Sequence, residues 1–199
     1  MRGIRSIPSE QMAYRMLKMH IDSAMHECWM KVIAFTSVEH CKEKWAYICN
    51  VAKLMALEGG KVLVIDCNID SLRTKKYFGM EFEESLSKMT HNEGENIFEV
   101  AEIPMLHFIP QGLGLHDMEG NLDFDKIIGL IENSRAEYDF VLIDTPPAGI
   151  TAEGVRLSSI ADGTIITVLS NKTQKNLAKR TKDVLDTVNA NVLGVILGA

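Results

Sequence analysis

Two acidic segments at the ends of apolar runs contain the residues best suited to chemistry in this chain. Asp66 follows Val64 and Ile65, and Asp144 follows a similar apolar run and precedes Thr145. An aspartate at the end of a buried parallel strand can organise Mg²⁺ and water beside a bound phosphate. The alternative interpretation is that each aspartate caps the turn or helix that follows it.

A lysine-bearing segment, residues 36–47, reads TSVEHCKEKWAY. It lies between a predicted strand and a predicted helix, where a phosphate-binding loop would be placed. Lys42 and Lys44 could bind a small anion there. We favour the other interpretation, in which the two lysines pair with Glu39 and Glu43 across the loop.

The residues near the same strand ends do not favour a metal site. His40, Cys41 and Cys67 could approach Asp66 and offer ligands to a soft or borderline metal. Because no two of them have a recognised ligand spacing, an ordinary loop histidine and partly buried thiols are favoured. The chain's four cysteines show no CxxC spacing, so free thiols in a reducing compartment are expected.

The elements that would position these residues alternate along the chain. Apolar runs, several of them apolar at both alternating positions, predict strands covered on both faces, as in a parallel sheet. Segments of helical period lie between them, so the order predicts a doubly wound α/β domain with ligand sites at the carboxyl ends of its strands. The predicted strands begin at Lys31, Lys61, Leu106, Asp139, Thr164 and Asn191, and the predicted helices span 45–57, 123–137 and 172–188.

Length and composition predict one folded domain. The 199 residues are 46% hydrophobic and 24% charged, which is typical of a soluble globular domain with one hydrophobic core. The net charge of −6 argues against a nucleic-acid partner. No apolar run approaches the ~20 residues that span a bilayer, so we expect a cytoplasmic chain without direct membrane insertion. Residues 71–120 are less regular and are expected to hold a short helical excursion.

The loop and the acidic segments together resemble a known family. The family's loop reads approximately TSxxPGEGKSTTAxNLA; Thr36 and Ser37 match its first two positions, and Lys44 falls on its phosphate-binding lysine. Asp66 matches the first aspartate of the motif IDADLRRP, and Asp144 that of the Walker B signature IDTPP. The chain therefore resembles the bacterial tyrosine kinases of capsule and exopolysaccharide systems (CpsD, CapB and Wzc-like), relatives of the MinD and ParA P-loop ATPases.

The resemblance implies a fold and a domain organisation. The fold is a single doubly wound P-loop NTPase-like domain with a mostly parallel central sheet and helices on both sides. We expect residues 1–30 to form an N-terminal helical segment and residues 31–199 the P-loop domain, the two making one folding unit.

The departures from the family's loop are expected to obstruct nucleotide binding. Cys41 and Glu43 stand where the family has glycines, which adds strain of ~1–2 kcal/mol if the backbone keeps its positive φ. A Glu43 carboxylate ~4 Å from a phosphate costs about 4 kcal/mol at an effective dielectric of ~20. Trp45 replaces the hydroxyl residue that binds Mg²⁺ in a working loop. The Walker A motif is therefore interpreted as degenerate.

Two further motifs depart from the family pattern. Asn68 replaces the second aspartate of the IDADLRRP motif, and Asp70 stands where a basic residue is usual. The N-terminal signature E-x-x-R-x-x-R, which supports contacts between neighbouring subunits, reads Met12, Arg15 and Lys18. By the resemblance, Arg15 and Lys18 are the candidate oligomer contacts.

A methionine stripe lies on the same N-terminal segment. Met12, Met16 and Met19 fall on one helical face. They could dock a partner subunit, but packing on the chain's own core is favoured.

For function, the preferred hypothesis is a degenerate member of this kinase family that binds ATP weakly or not at all and needs no cofactor. It would act through protein contacts in capsule or exopolysaccharide regulation, with a membrane-protein activator and self-association as partners, at the inner face of the membrane. One alternative is an active ATP-dependent protein tyrosine kinase or ATPase, and another is a MinD/ParA-like positioning ATPase. An active enzyme would use ATP and Mg²⁺, with Lys44, Thr36, Ser37 and Lys42 at the nucleotide, Asp66 accepting or positioning a proton, and Asp144 holding the metal through water.

Overall fold

The computed structural model describes residues 10–68, 76–77, 80–81, 89–91, 97–100, 102–110, 115, 119 and 121–198. The helices are α1 (Glu10–Cys28), α2 (Glu43–Leu57), α3 (Phe124–Glu137), α4 (Ala152–Ile160) and α5 (Lys175–Thr187). The strands are β1 (Val32–Ser37), β2 (Val62–Asp66), β3 (Lys76–Tyr77), β4 (Met80–Glu81), β5 (Met89–His91), β6 (Phe98–Val100), β7 (Ile103–Ile109), β8 (Phe140–Asp144), β9 (Gly163–Leu169) and β10 (Val192–Gly198).

An eight-stranded sheet in the order β10-β9-β1-β8-β2-β7-β6-β5 forms the centre of the domain. The pairs from β10 to β7 are parallel, and β6 and β5 extend the sheet by antiparallel pairing. Each of the six predicted strands is present, so the predicted doubly wound α/β class is confirmed. Because β1 lies between β8 and β9, the loop after β1 emerges at a switch in strand order, where open α/β sheets bind ligands.

The predicted helices are present with small changes of bounds. Asp123 is the N-cap of α3, since its carboxylate accepts a hydrogen bond from the Lys126 backbone N–H. The nine-residue α4 was not predicted, although Thr151 caps it by accepting from the Gly154 N–H. Within residues 71–120 the described stretches contain the strands β3 to β7. The other residues of that range, where the predicted helical excursion would fall, lie outside the described residues, as does Asp70.

The sheet divides the apolar interior that was expected to be one core. One cluster packs α1 and α2 on one face of the sheet and includes Phe35 and Ile48. A second packs α3 and α4 on the opposite face. A smaller third cluster lies under α5 and includes Leu185. This two-sided burial explains why the central strands are apolar at successive positions.

Asp162, in the turn between α4 and β9, ties the start of β1 to α3. Its carboxylate accepts from the backbone N–H groups of Lys31 and Val32 at 2.8 and 2.9 Å. The Arg135 guanidinium donates to both carboxylate oxygens at 2.8 and 2.7 Å. Burial alone would raise the pKa of Asp162, but these hydrogen bonds outweigh it and the pKa is lowered.

The methionine stripe of α1 does not pack on the core, which corrects the favoured interpretation. Met12, Met16 and Met19 are 50%, 44% and 57% exposed. The opposite side of the helix supplies Ile21 and Met25 to the core. Because those residues already satisfy packing against the sheet, the stripe is left on the solvent side of α1.

Candidate functional site

The carboxyl ends of the neighbouring strands β1, β8 and β2 bring the predicted site residues together. Asp66 and Asp144 are register partners on β2 and β8, and both are fully buried. Phe35 on β1 is the register partner of Asp144. The lysine-bearing loop therefore begins beside the two carboxylates, as the strand order requires.

Lys44 lies in the first turn of α2 and is turned inward, toward the sheet. Its ammonium forms an ion pair with Asp144 at 2.7 Å, and the two side chains are each 1% exposed. The ammonium also donates to the backbone carbonyls of Phe35, at 3.2 Å, and Thr145. A lysine ammonium has three N–H donors, so these three acceptors can engage all of them.

The pairing expected for Lys44 within the loop is wrong. Glu39 instead accepts a hydrogen bond of 2.5 Å from the Thr173 hydroxyl, which itself accepts from the Leu169 N–H. Glu43 is close to the Cys41 thiol, with Sγ and Oε2 3.5 Å apart. The buried Asp144 is the stronger partner for Lys44 because little water competes with the pair at that depth.

The loop follows a path that avoids the strain expected at Cys41 and Glu43. Among the described residues, the non-glycine positions with positive φ are Trp29, Asn171 and Asn189, and none of them lies in the loop. The N-cap residue of α2, Lys42, has φ −67° and ψ −33°, an ordinary right-handed conformation. Anion-binding nests of successive N–H groups are built from alternating right- and left-handed residues. The loop between β1 and α2 lacks that alternation.

Cys41 and Glu43 occupy the entrance of α2. Burial raises the pKa of the Cys41 thiol, and the charge of the Glu43 carboxylate raises it further. The thiol is therefore kept protonated and is a weak nucleophile. Glu43 lies in the first turn of the helix, where its charge interacts favourably with the helix dipole that would otherwise attract an anion.

Trp45 is a core residue. Its ring is buried and packs on Phe108 of β7, with ring centroids 5.7 Å apart and planes tilted by 57°. The position thus contributes apolar packing between α2 and the sheet, and it presents no oxygen to a metal ion.

The other three residues predicted to bind nucleotide, Thr36, Ser37 and Lys42, differ in their surroundings. The Thr36 hydroxyl donates to the Pro146 carbonyl at 3.1 Å and accepts from the Ala148 N–H at 3.0 Å. Thr36 therefore fixes the turn that follows Asp144. The Ser37 hydroxyl is buried without a hydrogen-bond partner in the part of the chain that the structure describes. Lys42 is exposed.

A hydrogen bond links Asp66 to Asn68, the residue that replaces the second aspartate of the IDADLRRP motif. The Asn68 backbone N–H donates to the Asp66 carboxylate at 3.1 Å. Within the described ranges, no three His, Cys, Asp or Glu side chains converge as ligands for a metal ion.

The two candidate oligomer contacts differ in their surroundings. Arg15 is exposed on α1, whereas Lys18 forms ion pairs with Asp22, at 2.7 Å, and with Glu58 at the end of α2. Lys18 thus joins α1 to α2 within the chain. No helix in the described part of the chain is both long enough and apolar enough to cross a membrane.

Sequence reasoning missed the partners that hold Lys44 and Trp45. The Phe35 and Thr145 carbonyls carry no side-chain signal, and Phe108 looks like any apolar strand residue. The role of Asp162 was also missed, because a single acidic residue before a predicted strand does not indicate its partners.

The geometry defines a class of protein. A parallel sheet with a central β1, a loop leading to a lysine in the first turn of the next helix, and aspartates at two neighbouring strand ends together define a P-loop NTPase-like domain.

Comparison with known proteins places the chain within that class. The family described as an AAA domain matches residues 30–193. Tyrosine-protein kinase YwqD of Bacillus subtilis is 28% identical over 97% of this chain and 81% of that protein. The chain spans only 25% of the length of some longer relatives.

Two solved structures share the fold. The kinase domain of the Escherichia coli tyrosine kinase ETK aligns with a TM-score of 0.77 at 18% identity, covering 100% of this chain and 82% of that one. The Aquifex aeolicus cell-division protein MinD aligns with a TM-score of 0.60 at 24% identity, covering 84% and 68%. The chain belongs to the AAA-domain family and has bacterial tyrosine kinases among its relatives.

Proposed function

We propose that this chain is a degenerate bacterial tyrosine kinase-like protein that binds ATP weakly or not at all. In this proposal it acts through protein contacts in the regulation of capsule or exopolysaccharide synthesis. The kinase relatives support the setting, and the buried ion pair between Lys44 and Asp144 is the observation that carries the loss of nucleotide binding.

The ion pair opposes binding because the lysine would have to leave it. To reach a phosphate, the Lys44 ammonium must abandon Asp144 and two backbone carbonyls. Leaving a buried charge unpaired costs about 3–5 kcal/mol. By the affinity relation this weakens nucleotide binding by roughly two to four orders of magnitude unless new contacts compensate.

The loop offers little to compensate. Its lack of left-handed residues removes the nest geometry that would cradle a triphosphate. Glu43 adds a negative charge at the helix N-terminus, and the buried Trp45 ring has no oxygen for Mg²⁺. These features act on different parts of the ligand, so they support the same conclusion independently.

Action through protein contacts is supported by the exposed methionine stripe on α1. Met12, Met16 and Met19 present flexible, polarisable side chains of the kind used by adaptable binding surfaces. A membrane-protein partner contacting α1 would hold the chain at the membrane.

Calorimetric titration with ATP and Mg²⁺ tests the loss of binding. The proposal predicts no saturable heat at millimolar nucleotide, and a dissociation constant below ~100 μM would refute it. The matched variant restores the loop with Cys41→Gly, Glu43→Gly and Trp45→Ser. If this triple variant is folded and binds no better than the parent, the loop substitutions are not what prevents binding.

An active kinase or ATPase is the second candidate, because Lys44, Asp66 and Asp144 still occupy neighbouring positions. Polysaccharide yield in a gene-deletion strain separates the two. Under the proposal, Asp66→Asn restores the yield as well as the parent does, because no proton acceptor is needed. Failure of this variant at equal protein level would favour the enzyme.

A further inference from the structure

Among the described strands, β10 lies at one edge of the sheet. In the described part of the chain it pairs with β9 alone. Residues 192–198 read VLGVILG and contain no charge and no proline. Soluble proteins usually protect an edge with such residues or with a bulge. The irregularity of β10 lies between Val192 and Gly194, so residues 194–198 keep a regular edge.

The two faces of this edge are both apolar, but they differ in shape. On the side of α5, Val195 and Leu197 are 56% and 75% exposed. On the side of α1, Gly194 and Ile196 border a groove of about 180 Å³ between the helix and the strand. The faces follow from the register, because Ile165, in the cluster under α1 and α2, is the register partner of Gly194.

Gly194 is not required by the chain's own packing. A Cβ built there would meet no atom within 4 Å, and Gly194 is not among the described residues with positive φ. Because neither backbone conformation nor a close neighbour demands glycine, the open space above it is available to an external side chain.

We propose that β10 is a docking site for a second copy of this chain. The two β10 strands pair antiparallel about a two-fold axis through Ile196, so that the two sheets become continuous. The sequence around this axis is symmetric in size, since Gly194 and Gly198 flank the larger Val195 and Leu197. This inference is independent of the proposed loss of nucleotide binding.

The symmetric register matches the shape of both faces. Val195 lies opposite Leu197 of the second copy, which covers the exposed apolar pair on the α5 side. Gly194 lies opposite Gly198 of the second copy, and the neighbouring Ile196 of that copy lies diagonally over the open space at Gly194. A shift of this pairing by one or two residues in either direction places a glycine opposite one of the large side chains.

The small area of the proposed β10 interface limits the affinity of the dimer. One strand and its few exposed side chains bury less than the ~1,200 Å² of a standard stable interface. We therefore expect a weak, concentration-dependent dimer with a dissociation constant of roughly 10 μM to 1 mM.

Sedimentation velocity of the full chain tests the dimer, over roughly 10 μM to 1 mM to cover that range of constants. Val195→Lys and Leu197→Glu are each expected to weaken association at least ~10-fold, because each places a charge against an apolar side chain on both sides of the axis. Mixing the two variants should restore association, since the introduced charges then face each other. Gly194→Ile should also weaken it, by filling the groove.

Ile150→Lys is the matched control, because Ile150 is 54% exposed but lies in the turn after β8. Its association should equal that of the parent, and circular dichroism establishes that all variants are folded. A parent that stays monomeric up to ~1 mM overturns the proposal. Equal loss in Ile150→Lys, or no restoration in the mixture, overturns it as well.

Discussion

The substitution Lys44→Met distinguishes a lysine that stabilises the fold from a lysine that binds nucleotide. In a working nucleotide site, this change removes binding and leaves the stability of the free protein nearly unchanged. In this structure the ammonium neutralises Asp144, and both side chains are 1% exposed. Removing one partner of a buried pair costs about 3–5 kcal/mol, which is a large part of a typical domain stability of about 5–15 kcal/mol.

Urea unfolding followed by circular dichroism measures this cost. The double variant Lys44→Met with Asp144→Asn removes both charges and should recover at least ~1 kcal/mol of the loss, since coupled neighbours are not additive. Lys182→Met is the matched control, because the Lys182 pair with Asp186 is exposed and is worth less than ~1 kcal/mol. A loss below ~1 kcal/mol for Lys44→Met would refute the argument that the buried pair stabilises the fold.

Three further predictions concern positions outside that pair. Asp162→Asn should cost about 1.5–3 kcal/mol at neutral pH through loss of charge-assisted hydrogen bonds to Arg135 and the β1 backbone. Because the folded pKa of Asp162 is lowered, its contribution is complete above the unfolded pKa of about 3.9 and is lost as the pH falls through the folded value, so urea unfolding of parent and variant should converge in acid. Trp45→Ala should cost about 3–5 kcal/mol in thermal or urea unfolding by leaving a cavity beside Phe108, and a loss below ~1 kcal/mol would show that the ring is not a core element. Gly149→Ala should destabilise by at least ~1–3 kcal/mol, because its Cβ would overlap a backbone carbonyl of the loop after β1, and an unchanged melting temperature would contradict that packing.

The parallel strands could be predicted because burial on both faces of the sheet requires apolar residues at successive positions. The segment around Val141 to Ile143 has no solvent-facing position, so its residues are apolar without alternation. Helix α4 was harder, because its nine residues include Gly154 and two serines and its apolar stripe is short. The Thr151 cap was the available signal.

The position of the candidate site in the fold could be predicted from the sequence, but the direction in which Lys44 points could not. Strand order alone brings Lys44, Asp66 and Asp144 to one edge of the sheet, as was expected. Whether Lys44 points to solvent or into the sheet depends on the loop backbone and on the depth of Asp144, which the sequence pattern does not encode. The exposure of Met16 was missed for a related reason, because periodicity places a residue on a helical face without fixing which face meets the core.

A crystal structure of the protein grown with millimolar ATP and Mg²⁺ tests the central claim most directly. The account predicts that the Lys44 ammonium remains on Asp144 and that no polyphosphate lies against the loop between β1 and α2. A triphosphate bound to the Lys44 ammonium, with the ion pair to Asp144 opened, would contradict it.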